Sequence, residues 1–491
     1  MLTQLPASQW NEKTAAHLLN RAGFGGTPAE IEALRQRGLS DAVRYLVEVP
    51  PEATKPPPPA WAQPRNIREL RTSARAEDDP ARRQEKMREL RMMEGENILD
   101  LRRWWLERMS NGRAPLLEKM TLFWHGHFAT SIQKVKDAYW MWLQNDTLRQ
   151  NAFGNFAALT KKMSRDPAMM FYLDLQQSRQ EHPNENWARE LMELFTVGIG
   201  NYTEQDIREA ARAFTGYRVD MTNQQFRFAP FQQDKSNKTF MGKTGPFGGD
   251  EIIDILVQQP ACARFIGRKL WRFFVEDDPA PATVEAVAGR IRAHHFDMKP
   301  VLQELFCSAE FYSDRVIRGQ IKSPVQFLVS TTRMLEAPLP PPGIAQNGMR
   351  QMGQILFAPP NVKGWDGGKS WITTSTLLFR YNFANYLING DAMRPATGPP
   401  RPAGRAPGFG RPALAAAASR PPIDLTKLVP VELREKPREL VDFLASRLFD
   451  GRIGESDTFV QYLEARKPDT SDATMRGLLH LMMSTPQFQL T

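Results

Sequence analysis

The feature that most constrains this chain is the repetition of one helix-start device. Thr27-Pro28-Ala29-Glu30 joins an N-cap, a proline at the first helical position and a capping-box acid, and predicts a helix that stops at Gly38. Asp166-Pro167, Pro260 and Ser323-Pro324 repeat the device before apolar-periodic runs, and Thr203 with Asp206 caps the run Ile207 to Phe214. Period-two alternation with β-branched residues is scarce, and Tyr217 to Phe228 is the one stretch that reads as a short hairpin. The expected fold class is predominantly all-α: a large single helical body with long loops.

Prolines mark where the helical pattern breaks. Residues 50–64 hold seven of them and read as an extended surface loop, followed by a charged run, Arg65 to Arg91, of solvated helix or coil. Residues 338–342 form a second stiff connector. The tract 392–422 holds nine Ala, eight Pro, five Arg and four Gly, too little apolar surface to offset its ordering entropy. The expected organisation is therefore a main body over 1–390, a disordered linker over 391–422 and a small helical piece over 423–491 that docks back. In that piece Leu440, Phe443, Leu444 and Leu448 fit one helix face.

Charge narrows the partners. The 64 Lys and Arg exceed the 55 Asp and Glu by nine, but five of the arginines lie in the tract 392–422, which has no acid, so the rest of the chain is near balance. Such a body lacks the basic face that nucleic-acid binding needs. No stretch approaches the ~20 apolar residues of a membrane span, and Met1 to Lys13 resembles no signal peptide. A cytoplasmic location is the default expectation, with export in company of a signal-bearing partner as the alternative. Cys262 and Cys307 read as buried thiols.

Three segments carry chemistry. In Trp124-His125-Gly126-His127-Phe128, two imidazoles at i and i+2 can share a divalent metal if the backbone bends at Gly126. On a continuous helix they point about 200° apart and cannot do so easily. The segment Asn184 to Phe195 gathers Trp187, Ala188, Leu191, Leu194 and Phe195 on one side and Arg189, Glu190 and Glu193 on the other. Those carboxylates can serve as acid/base or chelating groups, or as a solvated face of ion pairs. Pro359 to Trp371 contains Lys363, Trp365, Asp366 and Trp371 among prolines and glycines, and reads as a packed Ω-like loop or as an aromatic shelf for a carbohydrate or peptide ligand.

Other motifs fail on inspection. Gly242-Lys243-Thr244 lacks the glycine of a phosphate loop, since Asn237 stands there; H-E-x-x-H, G-x-S-x-G and Glu-x-x-His pairs are missing. His294-His295-Phe296-Asp297 reads as a helix end, and His182-Pro183-Asn184-Glu185 as a turn and N-cap.

The wording of several segments resembles the bacterial domain-of-unknown-function 1800 family. They are His17 to Gly25 with Thr27-Pro28, Glu118-Lys119-Met120 through Phe128, Ser164 to Asp174, Pro183 to Tyr217, and Pro359 to Trp371. The resemblance spans residues 14–390 and departs at Gly126, where asparagine is expected, and at Gln233, where histidine is expected. It implies no catalytic residues. It does imply a partner, the sulfatase- or phosphatase-like domain-of-unknown-function 1501 family.

Two function classes follow. One is a non-catalytic accessory or binding protein whose polar helix face and Trp365 loop hold a partner or ligand. The other is a metal-dependent hydrolase in which His125 and His127 join Glu190, Glu193 or Asp174 around an ion that activates water.

Overall fold

A computed structural model describes residues 2–390, 421–450, 453–454 and 456–491. Among them are twenty-three α-helices and two two-stranded antiparallel hairpins, so the chain is predominantly helical. The helix starts lie where the capping residues put them. Glu30 N–H donates to Thr27 Oγ1 (3.3 Å) and Thr27 N–H to Glu30 Oε2 (2.7 Å), opening the helix Pro28–Gln36. Asp166 and Ser323 cap Pro167–Tyr172 and Pro324–Met334, and Thr203 exchanges bonds with Asp206 ahead of Glu204–Ala213. Tyr217–Asp220 pairs with Gln225–Phe228 as the one hairpin expected; the second, Lys238–Phe240 with Lys243–Gly245, occupies the segment that lacks a phosphate loop.

One difference from the sequence reading has a simple cause. The proline-rich stretch 50–64 includes a short helix, Pro51–Thr54, because proline suits the first turn. The charged run enters the helices Ile67–Arg75 and Pro80–Ser110; only the second half of the latter is buried, through Leu101, Trp105, Leu106 and Met109. Almost all of the expected linker lies outside the described residues.

The apolar residues gather into two cores. One surrounds Glu204–Ala213, Gly249–Gln258 and Pro260–Phe274. The other joins the end of Pro80–Ser110 to Pro324–Met334, Pro342–Met352 and Thr374–Asn389, and includes Leu440, Leu444, Leu448, Met475 and Phe488. Phe443, by contrast, is 36 % exposed. The helix Pro115–His127 touches both cores: Met120, Phe123 and Trp124 face the first and Leu122 the second. It is buried on all sides, and it positions the site. No helix among the described residues is long and apolar enough to cross a membrane. Both cysteines are free; Cys262 is buried and Cys307 half-buried.

Candidate functional site

The helix Pro115–His127 has four ionisable side chains in its apolar surroundings, and each is satisfied differently. Glu118 accepts from Arg149 Nη2 (2.9 Å), Arg108 Nε (2.7 Å) and Trp105 Nε1 (2.9 Å). Burial pushes its carboxyl up, but the two guanidiniums outweigh burial and hold it below its ordinary value. Lys119, one residue on, is 7 % exposed and, among the described residues, donates only to Gln326 Oε1. Burial, followed by the charge of Arg21, lowers its amine to about 7.

The helix runs unbroken through Gly126, so the two imidazoles diverge. His125 Nε2 accepts the Phe357 N–H (3.1 Å), and its ring packs against Trp105, Phe357 and Trp365 at centroid distances of 5.1, 5.0 and 5.8 Å. His127 Nε2 donates to Phe195 O (3.1 Å), while its Nδ1 accepts from Lys269 Nζ (3.1 Å). Burial holds His125 at about 3 and His127 well below its ordinary value, so both rings are neutral at pH 7. A metal ligand needs a free lone pair on one ring nitrogen. In both histidines that lone pair already accepts a proton of the protein, so this pair does not fit a metal. No group of three or more His, Cys, Asp or Glu among the described residues is placed to hold a metal ion.

The carboxylates of the second motif lie on a different surface. Glu185–Glu190 continues into a π-helical turn, Leu191–Thr196. Arg189 grips Glu204 with both Nη atoms (2.8 and 2.9 Å), Glu193 accepts from Tyr202 Oη (3.0 Å), and Asp174 pairs with Lys134 (2.8 Å). Glu190 is half-buried, and burial and then Glu193 raise its carboxyl. None of these four lines the cleft to which His127 contributes. What the turn does contribute is backbone. Its last carbonyls have no helical partners, and Leu194 O accepts from Lys269 Nζ (3.0 Å) as Phe195 O does from His127.

The third motif does meet the first. Gly364 has a φ of +90°, and a Cβ there would stand 2.5 Å from Gly126 O, so the loop can approach the helix only with glycine at 364. At Gly126 itself an added Cβ would meet nothing within 4 Å. This contact fixes the loop as one wall of a cleft of about 520 Å³, a size usual for small-molecule sites. Trp371 is 7 % exposed and plugs the wall, while Trp365 is half-buried at the opening. Lys363 and Asp366 pair at 2.7 Å on the rim.

The other two walls are helix faces. Lys119, Leu122, Phe123 and Gly126 come from Pro115–His127, and Phe265, Arg268, Lys269, Arg272 and Phe273 from Pro260–Phe274, both sets at the three- and four-residue spacing of one helical face. Gln320, Gln326 and Gln354 complete the inner end. The lining therefore has five basic side chains, Lys119, Arg268, Lys269, Arg272 and Lys363, against two acidic ones, Asp277 and Asp366, and burial lowers the amines of both Lys119 and Lys269 to about 7. Sequence reasoning reached Lys363, Trp365, Asp366, Trp371 and His127 but missed Lys119 and the face Phe265 to Phe273. The available signal was Lys119 facing the apolar residues Leu122 and Phe123 within one helical run.

Neither a curated protein nor a solved structure matches the chain. A family model does, that of "Protein of unknown function (DUF1800)", over residues 17–490, which takes in the C-terminal helices as well as the segments that carried the resemblance. The chain belongs to this family.

Proposed function

We propose that this chain is a non-catalytic binding protein that holds a negatively charged organic ligand in the cleft. Trp365, Phe265 and Phe273 take the apolar or ring-shaped body of the ligand, and Arg268, Lys269 and Arg272 take its charge. The observation that carries this reading is the state of the two arginines. Arg268 and Arg272 are exposed on the cleft, and neither has a carboxylate within 4 Å among the described residues. Neighbouring surface arginines do: Arg264 and Arg292 meet Glu285, and Arg290 meets Glu304. Acidic carbohydrates and acidic peptides share the required combination of a stacking surface and an anion.

The sulfatase- or phosphatase-like partner implied by the family resemblance belongs to the same proposal. Such enzymes act on anionic esters, and a cationic cleft beside one would hold substrate or product. The reading is the same for a cytoplasmic protein and for one exported with its partner. The metal-dependent hydrolase needs His125 and His127 to converge with Glu190, Glu193 or Asp174, and no distance or hydrogen bond favours that convergence.

The test uses a matched pair of fluorophores, 8-anilinonaphthalene-1-sulfonate and its uncharged counterpart N-phenyl-1-naphthylamine. The sulfonate is expected to bind saturably at one site and at least tenfold more tightly than the neutral compound. The double variant Arg268→Glu, Arg272→Glu, altered only at exposed positions, should lose that preference. Equal binding of both fluorophores, or an unchanged preference in the variant, rejects the proposal.

A further inference from the structure

The geometry points to Lys119 as the inner anion receptor of the cleft: an oxyanion of the sulfonate, sulfate, phosphate or carboxylate class seats on its amine and enters together with one proton. The inference rests on the anion-binding reading above and assigns the group that sets its pH dependence.

The argument begins with adjacent residues on one helix. Glu118 is buried and meets two guanidiniums; Lys119 is buried and meets no carboxylate within 4 Å among the described residues. An ammonium offers three donors, and among the described residues the Lys119 amine donates to Gln326 Oε1 alone. Gln326 is fixed in place because its Nε2 donates to Asn20 O (3.0 Å). The amine also sits 4.9 Å from the Phe24 ring centre and 5.6 Å from that of Phe273.

The charges around it are mostly of its own sign. The helix Glu12–Ala22 brings Arg21, Pro260–Phe274 brings Lys269 and Arg272, and the Trp365 loop brings Lys363. The two nearby acids are engaged elsewhere. Asp366 pairs with Lys363, and Asp277 accepts from Gln320 Nε2 (3.4 Å) with its other oxygen against Gly368. An amine so placed is poorly able to keep its charge alone, in keeping with its lowering to about 7. A bound oxyanion supplies the missing counter-charge. The lone pair of the neutral amine then takes a proton from hydronium or a buffer acid to give the ammonium, and the conjugate base of that acid stays in solution.

The experiment is calorimetric titration of the full chain with 8-anilinonaphthalene-1-sulfonate, whose sulfonate stays charged throughout, between pH 5.5 and 9. Paired buffers of different ionisation enthalpy count the protons. The wild type is expected to take up close to one proton per ligand above pH 8 and close to none below pH 6. Its affinity should fall about tenfold per pH unit above pH 8. Lys269, whose amine burial also lowers to about 7, already donates to His127 Nδ1 and Leu194 O, so Lys119→Met should still bind through Arg268, Arg272 and Trp365 with no proton uptake and a flat pH profile, while Lys269→Met should retain the uptake. The pair of variants assigns the proton to one amine, and a wild-type count of none overturns the inference even if a variant fails to fold. Binding without proton uptake, or uptake that survives in Lys119→Met, overturns this inference and leaves the binding proposal standing. No saturable binding at any pH removes both.

Discussion

A buried ionisable side chain is tolerated when it is paired, neutralised or held by hydrogen bonds, and the residues around the cleft use all three means. Glu118 is paired, His125 and His127 are neutral, and Lys119 has a single bond that leaves it short of partners. Asp166 shows the same physics away from the cleft. It accepts from Met169 N–H and Gln144 Nε2, both at 2.8 Å, yet burial raises its carboxyl to about 7. In the unfolded chain the group titrates near its ordinary value of about 4. Between pH 4 and 7 the folded state therefore binds one more proton, and stability contributed by this group is full below pH 4 and declines as pH rises to 7. Asp166→Asn keeps the N-cap acceptor and removes the titration. Urea unfolding at pH 5 and pH 7 should show the variant losing less stability across that interval than the wild type, by on the order of 2 kcal/mol. An equal loss in both proteins would show that Asp166 titrates normally.

Elements differ in how much of their placement is local. Helix starts were legible because capping is an interaction over three residues: Thr27 with Glu30, Thr203 with Asp206, Ser323 with Gln326. The divergence of His125 and His127 was also legible as a condition, since it follows from helix geometry once Gly126 is known not to bend the chain. The cleft was not. Phe265, Arg268, Lys269 and Arg272 have the spacing of any amphipathic surface helix, and nothing within that helix says that Pro115–His127 and the Trp365 loop stand opposite it. Nor does the loop sequence reveal which of its glycines is obligatory. Gly364→Ala must break the approach to Gly126 O and strain a φ of +90°. It should cost about 1–3 kcal/mol in thermal or urea unfolding and weaken sulfonate binding by displacing Trp365. Gly126→Ala places its new Cβ in open space and should leave stability within about 1 kcal/mol. If the two alanine variants unfold alike, the loop is not seated on the helix as described.

At the scale of the whole molecule the cleft depends on both cores. Its helix wall Pro260–Phe274 belongs to the first core and its helix wall Pro115–His127 to both, while its inner end, Gln320 to Gln326, is anchored to the C-terminal residues. Lys322 Nζ donates to Phe488 O (2.8 Å), Thr491 N–H to Gln320 O (2.8 Å), and Arg318 Nη2 to Gln487 O (2.7 Å). Asp450 closes the same region by accepting from Asn20 Nδ2 (3.1 Å) and pairing with Arg318 (3.5 Å). Leu440, Leu444, Leu448, Met475, Leu478 and Phe488 are all about 1 % exposed or less in the second core, so removing residues 423–491 would leave their apolar partners on Thr374–Asn389 and Pro324–Met334 facing water. Each such side chain is worth about 1.5–3 kcal/mol of burial, and six together are comparable with the whole stability of an ordinary domain. A chain ending at 422 is therefore expected to aggregate or to lose its cooperative thermal transition, and supplying 423–491 as a separate polypeptide should restore sulfonate binding. A truncated chain that melts cooperatively and binds the sulfonate as well as the full chain would mean that the inner end of the cleft stands without its C-terminal anchor.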